Sequence, residues 1–279
     1  MLRSVKDLKG YAIRATDGDI GHVVDFYFDD ARWVVRYLLV NTGAWLSGRD
    51  VLISPIAIGR PNWAEKVLPV SITKAQVERS PPIDTAKPVS RQHEIRYLGY
   101  YGYPYYWGGA GLWGEGLFPS AMMVPGYVAG SFAVPHTPLS EAEKSLARTE
   151  EAQHRSDDPH LRDCATVMEY HVGATDGDIG HIEGLLVDDE TWSIRYIIVN
   201  TSNWWMGHKV LIAPQWIKNV SWHDASVFVN LTQQEVKDAP PYDSTVELDR
   251  TREVSLHKHY GRPGYWAAEE KDDTKRVDR

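Results

Sequence analysis

Residues 15–55 read ATDGDIGHVVDFYFDDARWVVRYLLVNTGAWLSGRDVLISP, and residues 174–214 read ATDGDIGHIEGLLVDDETWSIRYIIVNTSNWWMGHKVLIAP. The two stretches align without a gap at an offset of 159, and 22 of 41 positions are identical. The same offset pairs Trp63 with Trp222, Thr73 with Thr232 and Pro81-Pro82 with Pro240-Pro241. It reaches as far as YYGYPYYW at 100–107 and HYGRPGYW at 259–266. A unit of roughly 95 residues is too long for a solenoid repeat and reads as a duplicated domain.

Each copy reads mainly as strands. IGHVVDFYFDD and WVVRYLLVNT are rich in β-branched and aromatic residues, with a short polar DDAR between them; IGHIEGLLVDD and WSIRYIIVNT repeat this around DDET. VLISPIAI and VLIAPQWI, then KVLPVSI and SVFVNLT, add further strands. The DGD turn places Gly18 and Gly177 where a positive φ is expected. ITKAQVERSPP and LTQQEVKDAPP carry Thr73 with Gln76 and Thr232 with Glu235 at capping-box spacing, and the following prolines stop the helix. Each copy is therefore five or six short strands and a short helix, which points to a small antiparallel barrel or sandwich.

These residues resemble the PRC-barrel family, found in the cytoplasmic part of the photosynthetic reaction centre H subunit and in the C-terminal half of a 16S ribosome maturation factor. The resemblance rests on DGDIGHVVDFYFDD…WVVRYLLVNTGAWLSGRDVLISP and on DGDIGHIEGLLVDD…WSIRYIIVNTSNWWMGHKVLIAP, about 75 residues of each copy. It implies a compact antiparallel β-barrel that acts as an interaction module, with no shared catalytic residues. The copies differ where Asp25 is replaced by Gly184 and Leu46-Ser47 by Trp205-Met206. The expected organisation is a first barrel over 1–96, a Gly/Tyr/Trp/Pro-rich linker with a short polar helix over 97–158, a second barrel over 159–258, and a charged, disordered tail over 259–279.

Composition narrows the function. The net charge of −8 disfavours a phosphate backbone as the main partner. A single cysteine, Cys164, excludes an intramolecular disulfide and a cysteine zinc cluster, and fits a reducing cytoplasm. No signal-peptide core or transmembrane stretch is read in the sequence. Eleven Trp and 15 Tyr against five Phe suit half-buried strands and interfaces.

The candidate chemistry is sparse. Asp17, Asp19 and His22, with Asp176, Asp178 and His181, could hold a divalent cation, but two carboxylates fall short of a calcium shell, and a polar turn is the preferred reading. No nucleophile motif accompanies the histidines, so no enzyme activity and no cofactor are expected. Arg36 and Arg195 could stack on aromatics and pair with Asp29 and Asp188, although a solvated strand face is preferred. Trp45 and Trp204 are expected to cap a barrel end. Trp205 and Met206, which the first copy lacks, and Tyr105, Tyr106, Trp107 and Trp113 are candidate interaction residues. The expected role is a cytoplasmic bacterial scaffold, peripheral at the inner face of the membrane, that binds a protein or a membrane-protein complex. Its barrels would pack within the chain or as a homodimer.

Overall fold

The structure is a computed structural model that describes residues 1–82, 89, 91–107, 109–122, 160–201 and 208–267. The first repeat runs β1 (Leu2–Ser4), α1 (Val5–Leu8), β2 (Ala12–Ala15), β3 (Gly18–Asp29), β4 (Val34–Asn41), β5 (Asp50–Ile53), β6 (Val67–Pro69), α2 (Lys74–Glu78) and α3 (Arg91–Tyr101). The second runs β7 (Leu161–Asp163), α4 (Cys164–Val167), β8 (His171–Gly173), β9 (Asp178–Asp188), β10 (Ile194–Asn200), β11 (Lys209–Ile212), β12 (Ile217–Ser221), β13 (Ser226–Val229), α5 (Gln233–Lys237) and α6 (Arg250–His259). The fold is mainly β.

One sheet has the order β5-β4-β3-β2-β6, with β7 pairing β3; the other has the order β11-β10-β9-β8-β13-β12, with β1 pairing β9. Among the described residues these pairings form open paths. The expectation of purely antiparallel strands is corrected, because β2 pairs β6 in parallel and β13 pairs β8 in parallel. The cause is connectivity: the whole β3–β5 meander lies between β2 and β6, long enough to return the chain in the same direction. The two helix signals hold. Thr73 and Thr232 each close a capping box, with Gln76 and Glu235 respectively.

The chain divides into two compact units. The first comprises Met1, Arg3–Val167 and Leu185–Arg195; the second comprises Leu2, Met168–Gly184 and Tyr196–Arg279. This division cuts through the second repeat, since Leu185–Arg195 falls in the first unit. There Val35 N–H donates to Trp192 O (2.8 Å) and Ile194 N–H donates to Trp33 O (2.7 Å). These bonds map onto each other under the 159-residue shift. So do Asp30 N–H to His160 O and Asp189 N–H to Met1 O, both 3.0 Å. Arg162 with Asp30 (3.1 Å) and Arg3 with Asp189 (2.8 Å) form the matching ion pairs.

In the first unit, β4 is buried at every position from Val34 to Val40. A strand buried along its whole length needs cover on both faces, which explains its near-continuous apolar run. Part of the cover comes from residues 97–107 and 109–122, expected as linker: Tyr97, Leu98, Tyr106, Trp113 and Met122 are all buried. The expected boundary at 97 falls inside α3. In the second unit, the stretch expected to begin a tail continues α6 into buried Tyr260 and a turn through Arg262, whose N–H donates to His257 O. The polar helix expected before 159 and the tail from 268 lie outside the described residues.

Candidate functional site

The recurring turn is a structural joint. Gly18 and Gly177 have φ of +139° and +154°, and Gly21 and Gly180 stand where a Cβ would lie 1.9 Å from the carbonyl oxygens of Asn41 and Asn200. Glycine at 21 and 180 is therefore required by the close approach of the neighbouring strand. Asp17 accepts from Lys74 N–H at 2.8 Å, and Asp176 from Gln233 N–H at 2.8 Å. Each carboxylate thus satisfies a free N–H of the first turn of α2 or α5. Asp19 pairs with Arg14 at 2.8 Å on the surface, and the guanidinium lowers its pKa. The backbone carbonyl of Asp178 accepts from Gln233 Nε2 at 2.7 Å. His22 lies on β3 opposite Ala12, and His181 on β9 opposite His171. Among the described residues no group of three His, Cys, Asp or Glu side chains is placed to hold a metal.

Next to this turn is a surface hollow of about 380 Å³, lined by Asp19, Ile20, Gly21, His22, Val24, Asn41, Thr42, Gly43 and Trp45. Trp45 donates from Nε1 to the Ile20 carbonyl, and Lys74 Nζ stands 4.4 Å from its ring centroid. The indole is thereby pinned along one wall with part of its surface open. Val24, 39% exposed, completes an apolar lip. Trp204, Trp205 and Met206 lie outside the described residues.

Arg36 is not on a solvated face. It is 0% exposed, ion-paired with Asp29 at 3.1 Å, and donates to Leu112 O at 2.6 Å. Its guanidinium lies 3.8 Å from the Tyr106 ring centroid and 4.7 Å from that of Trp113. Arg32 donates to the carbonyls of Gly109 and Gly111, and Trp113 Nε1 to Thr191 O at 2.8 Å. The glycine loop is held by carbonyls facing guanidinium groups. Arg195 is also buried, 3.7 Å from Asp188, and donates to Thr191 Oγ1 at 3.2 Å. Of the aromatic candidates, Tyr106 and Trp113 are core, while Tyr105 and Trp107 stack on each other (4.7 Å) and are half-buried.

A buried polar cluster escaped the sequence reading. Glu94, 0% exposed, accepts from Tyr37 (3.1 Å) and Tyr106 (2.5 Å) on Oε1, and its Oε2 is 2.6 Å from His160 Nε2. The second unit repeats it: Glu253 Oε1 is 3.0 Å from the Tyr196 hydroxyl and accepts from Tyr265 (2.9 Å). All three pairs are related by the 159-residue offset, which was the signal available in the sequence. Burial, with the nearby Glu94 charge adding to it, raises the Tyr37 pKa well above the phenol value, so the hydroxyl remains a donor.

Residues 2–75 match the PRC-barrel domain. No curated protein matches the chain. The PRC-barrel match begins in β1 and ends at the second residue of α2. It contains the capped turn, Trp45 and Arg36. Glu94, the glycine loop and Trp113 come after it.

The two repeats differ inside the PRC-barrel match at Asp25. This carboxylate is buried, lies 3.1 Å from Lys9 Nζ, and accepts from Ala165 N–H at 3.1 Å. Burial raises its pKa. The neighbouring Cys164 is fully buried, and burial, together with the charges of Asp25 and Asp163, pushes its thiol pKa well up. At the matching position Gly184 faces Ile198, whose Cδ1 would be 3.2 Å from an added Cβ.

Proposed function

We propose that this protein is a non-enzymatic interaction module in which two PRC-barrel-like repeats present a contact surface to a protein partner or a membrane-protein complex. The match of residues 2–75 to the PRC-barrel domain carries the reading. The duplicated Asp17 and Asp176, the first candidates for chemistry, are engaged in capping helices. The hollow beside Trp45 and Val24 offers half-exposed aromatic surface next to a cation, the composition favoured at interface hot spots. No helix among the described residues is long and apolar enough to cross a membrane. We place the protein in the cytoplasm, meeting any membrane partner at the inner face.

The experiment is in-cell crosslinking with the full chain and with a Val24→Asp variant, followed by identification of the crosslinked proteins. The reading expects a specific partner that Val24→Asp loses while the fold, judged by circular dichroism, is kept. An identical set of crosslinks from both chains would remove the hollow as the contact. No specific crosslink at all, with no sedimentation on inner-membrane vesicles, would overturn the reading.

A further inference from the structure

His257 lies on α6 and is 2% exposed. Its Nδ1 is 3.0 Å from the carbonyl oxygen of Pro263, which can only accept, so Nδ1 carries a hydrogen. Its Nε2 is 3.0 Å from the Tyr196 hydroxyl, and that hydroxyl is also 3.0 Å from Glu253. A phenol has one hydrogen, which can lie along only one of the two contacts. The other contact needs a hydrogen of its own. It sits either on Nε2, giving an imidazolium and a carboxylate, or on Glu253, giving a neutral imidazole and a carboxylic acid. Both forms hold one proton more than a neutral histidine beside a carboxylate, and both give His257 and Glu253 no net charge together.

We propose that Tyr196, Glu253 and His257 form a buried site that binds one proton, shared between imidazole and carboxyl through the Tyr196 hydroxyl. The surroundings bear on where it rests. Tyr265 donates to Glu253 Oε1 at 2.9 Å, and the Arg250 guanidinium is 3.1 Å from Oε2. The rings of Trp216 and Trp266 pack against the imidazole with centroids 5.1 and 4.9 Å away. Burial pushes the His257 pKa down against the Pro263 and Arg262 backbone contacts, and the Arg250 charge adds to the lowering, which favours the proton on Glu253; the Arg250 guanidinium 3.1 Å from Oε2 favours the carboxylate. Arg250, 3.1 Å from Oε2 and 4.4 Å from the Trp266 ring centroid, offsets the Glu253 charge, so it is the count of hydrogens around the Tyr196 hydroxyl, and not the charge balance, that calls for the proton.

The first repeat needs no such proton. Position 98, the counterpart of 257, is leucine. Tyr37 and Tyr106 each donate their own hydrogen to Glu94, and the Nε2–H tautomer of a neutral His160 would supply a third. The His257→Leu substitution therefore installs a residue the repeat already accommodates.

The test is nuclear magnetic resonance of the full chain with 15N-histidine and 13C-glutamate at pH 7. His257 signals are assigned by their loss in His257→Leu, or in His257→Gln if the first variant does not fold. A protonated Nε2 beside an ionised Glu253, or a bare Nε2 beside a protonated Glu253, supports the site. Both nuclei should then shift at one apparent pKa as the pH is raised, and Tyr196→Phe should abolish the extra proton. A bare Nε2 together with an ionised Glu253 at pH 7 overturns it.

Discussion

Tyr37 donates its hydroxyl hydrogen to Glu94 across 3.1 Å, and the two side chains are 1% and 0% exposed. Their counterparts Tyr196 and Glu253 stand 3.0 Å apart, again 57 residues apart in sequence. A carboxylate so buried is sustained by the donors around it. Glu94→Ala would strand Tyr37, Tyr106 and His160 together and should cost about 3 kcal/mol or more, whereas Glu94→Gln keeps an acceptor and should cost less. Urea unfolding followed by tryptophan fluorescence measures both, and equal losses would contradict this account.

Arg36 joins β4 to the glycine loop. Arg36→Ala leaves Asp29 buried without its cation, and the expected loss is about 3–5 kcal/mol. Arg36→Lys should also destabilise. An ammonium cannot bond Asp29 and Leu112 O while stacking flat on Tyr106. Limited proteolysis near 109–116 should speed up in both variants.

Gly21→Ala and Gly180→Ala each drive a methyl to 1.9 Å from a neighbouring carbonyl oxygen. The strands must part, and both variants should unfold at markedly lower denaturant. Gly99 in α3 provides the control, because a Cβ there meets nothing within 4 Å. Gly99→Ala should be neutral or stabilising by up to about 1 kcal/mol.

Asp25 gives a pH dependence. Its folded pKa is raised by burial above the ordinary carboxylate value of about 3.9. The folded state therefore holds the proton more tightly than the unfolded chain does. The associated stability is complete below pH of about 4 and is lost as pH rises through the folded value. Asp25→Asn escapes this loss and can still accept from Ala165 N–H. Its stability relative to the parent should thus improve between pH 4 and neutrality; a flat difference across that range would refute the assignment.

The strands, the two helix caps and the turn glycines were legible because they are local. Thr73 and Gln76 sit three residues apart, and period and composition mark β3 and β4. Arg36 was misread because its cover arrives from Leu112, 76 residues later. The run around Tyr106 and Trp113 looked like a linker for the same reason: glycine, proline and few charges describe a loop, and only the arginines of β4 and the turn before it turn that loop into core. Nothing local in the sequence marks Glu94 as buried. Its burial could have been read only by noticing that Tyr37, Glu94 and Tyr106 return together as Tyr196, Glu253 and Tyr265.

The pairing of Phe28 with Arg162, and of Asp30 with Arg162 across 132 residues of sequence, has a consequence for the order of events at the ribosome. Loop closure over such a separation is slow compared with hairpin formation. When the β3–β4 hairpin leaves the exit tunnel, residues 27–29 have one side with no strand to take. At about 5–20 residues per second, several seconds pass before Leu161–Asp163 is delivered. During that interval the nascent chain carries an open edge, the feature that invites exchange between neighbouring chains on one messenger. A fragment that stops before Leu161 would keep that edge permanently, so expressing the first repeat alone should yield strand-swapped oligomers.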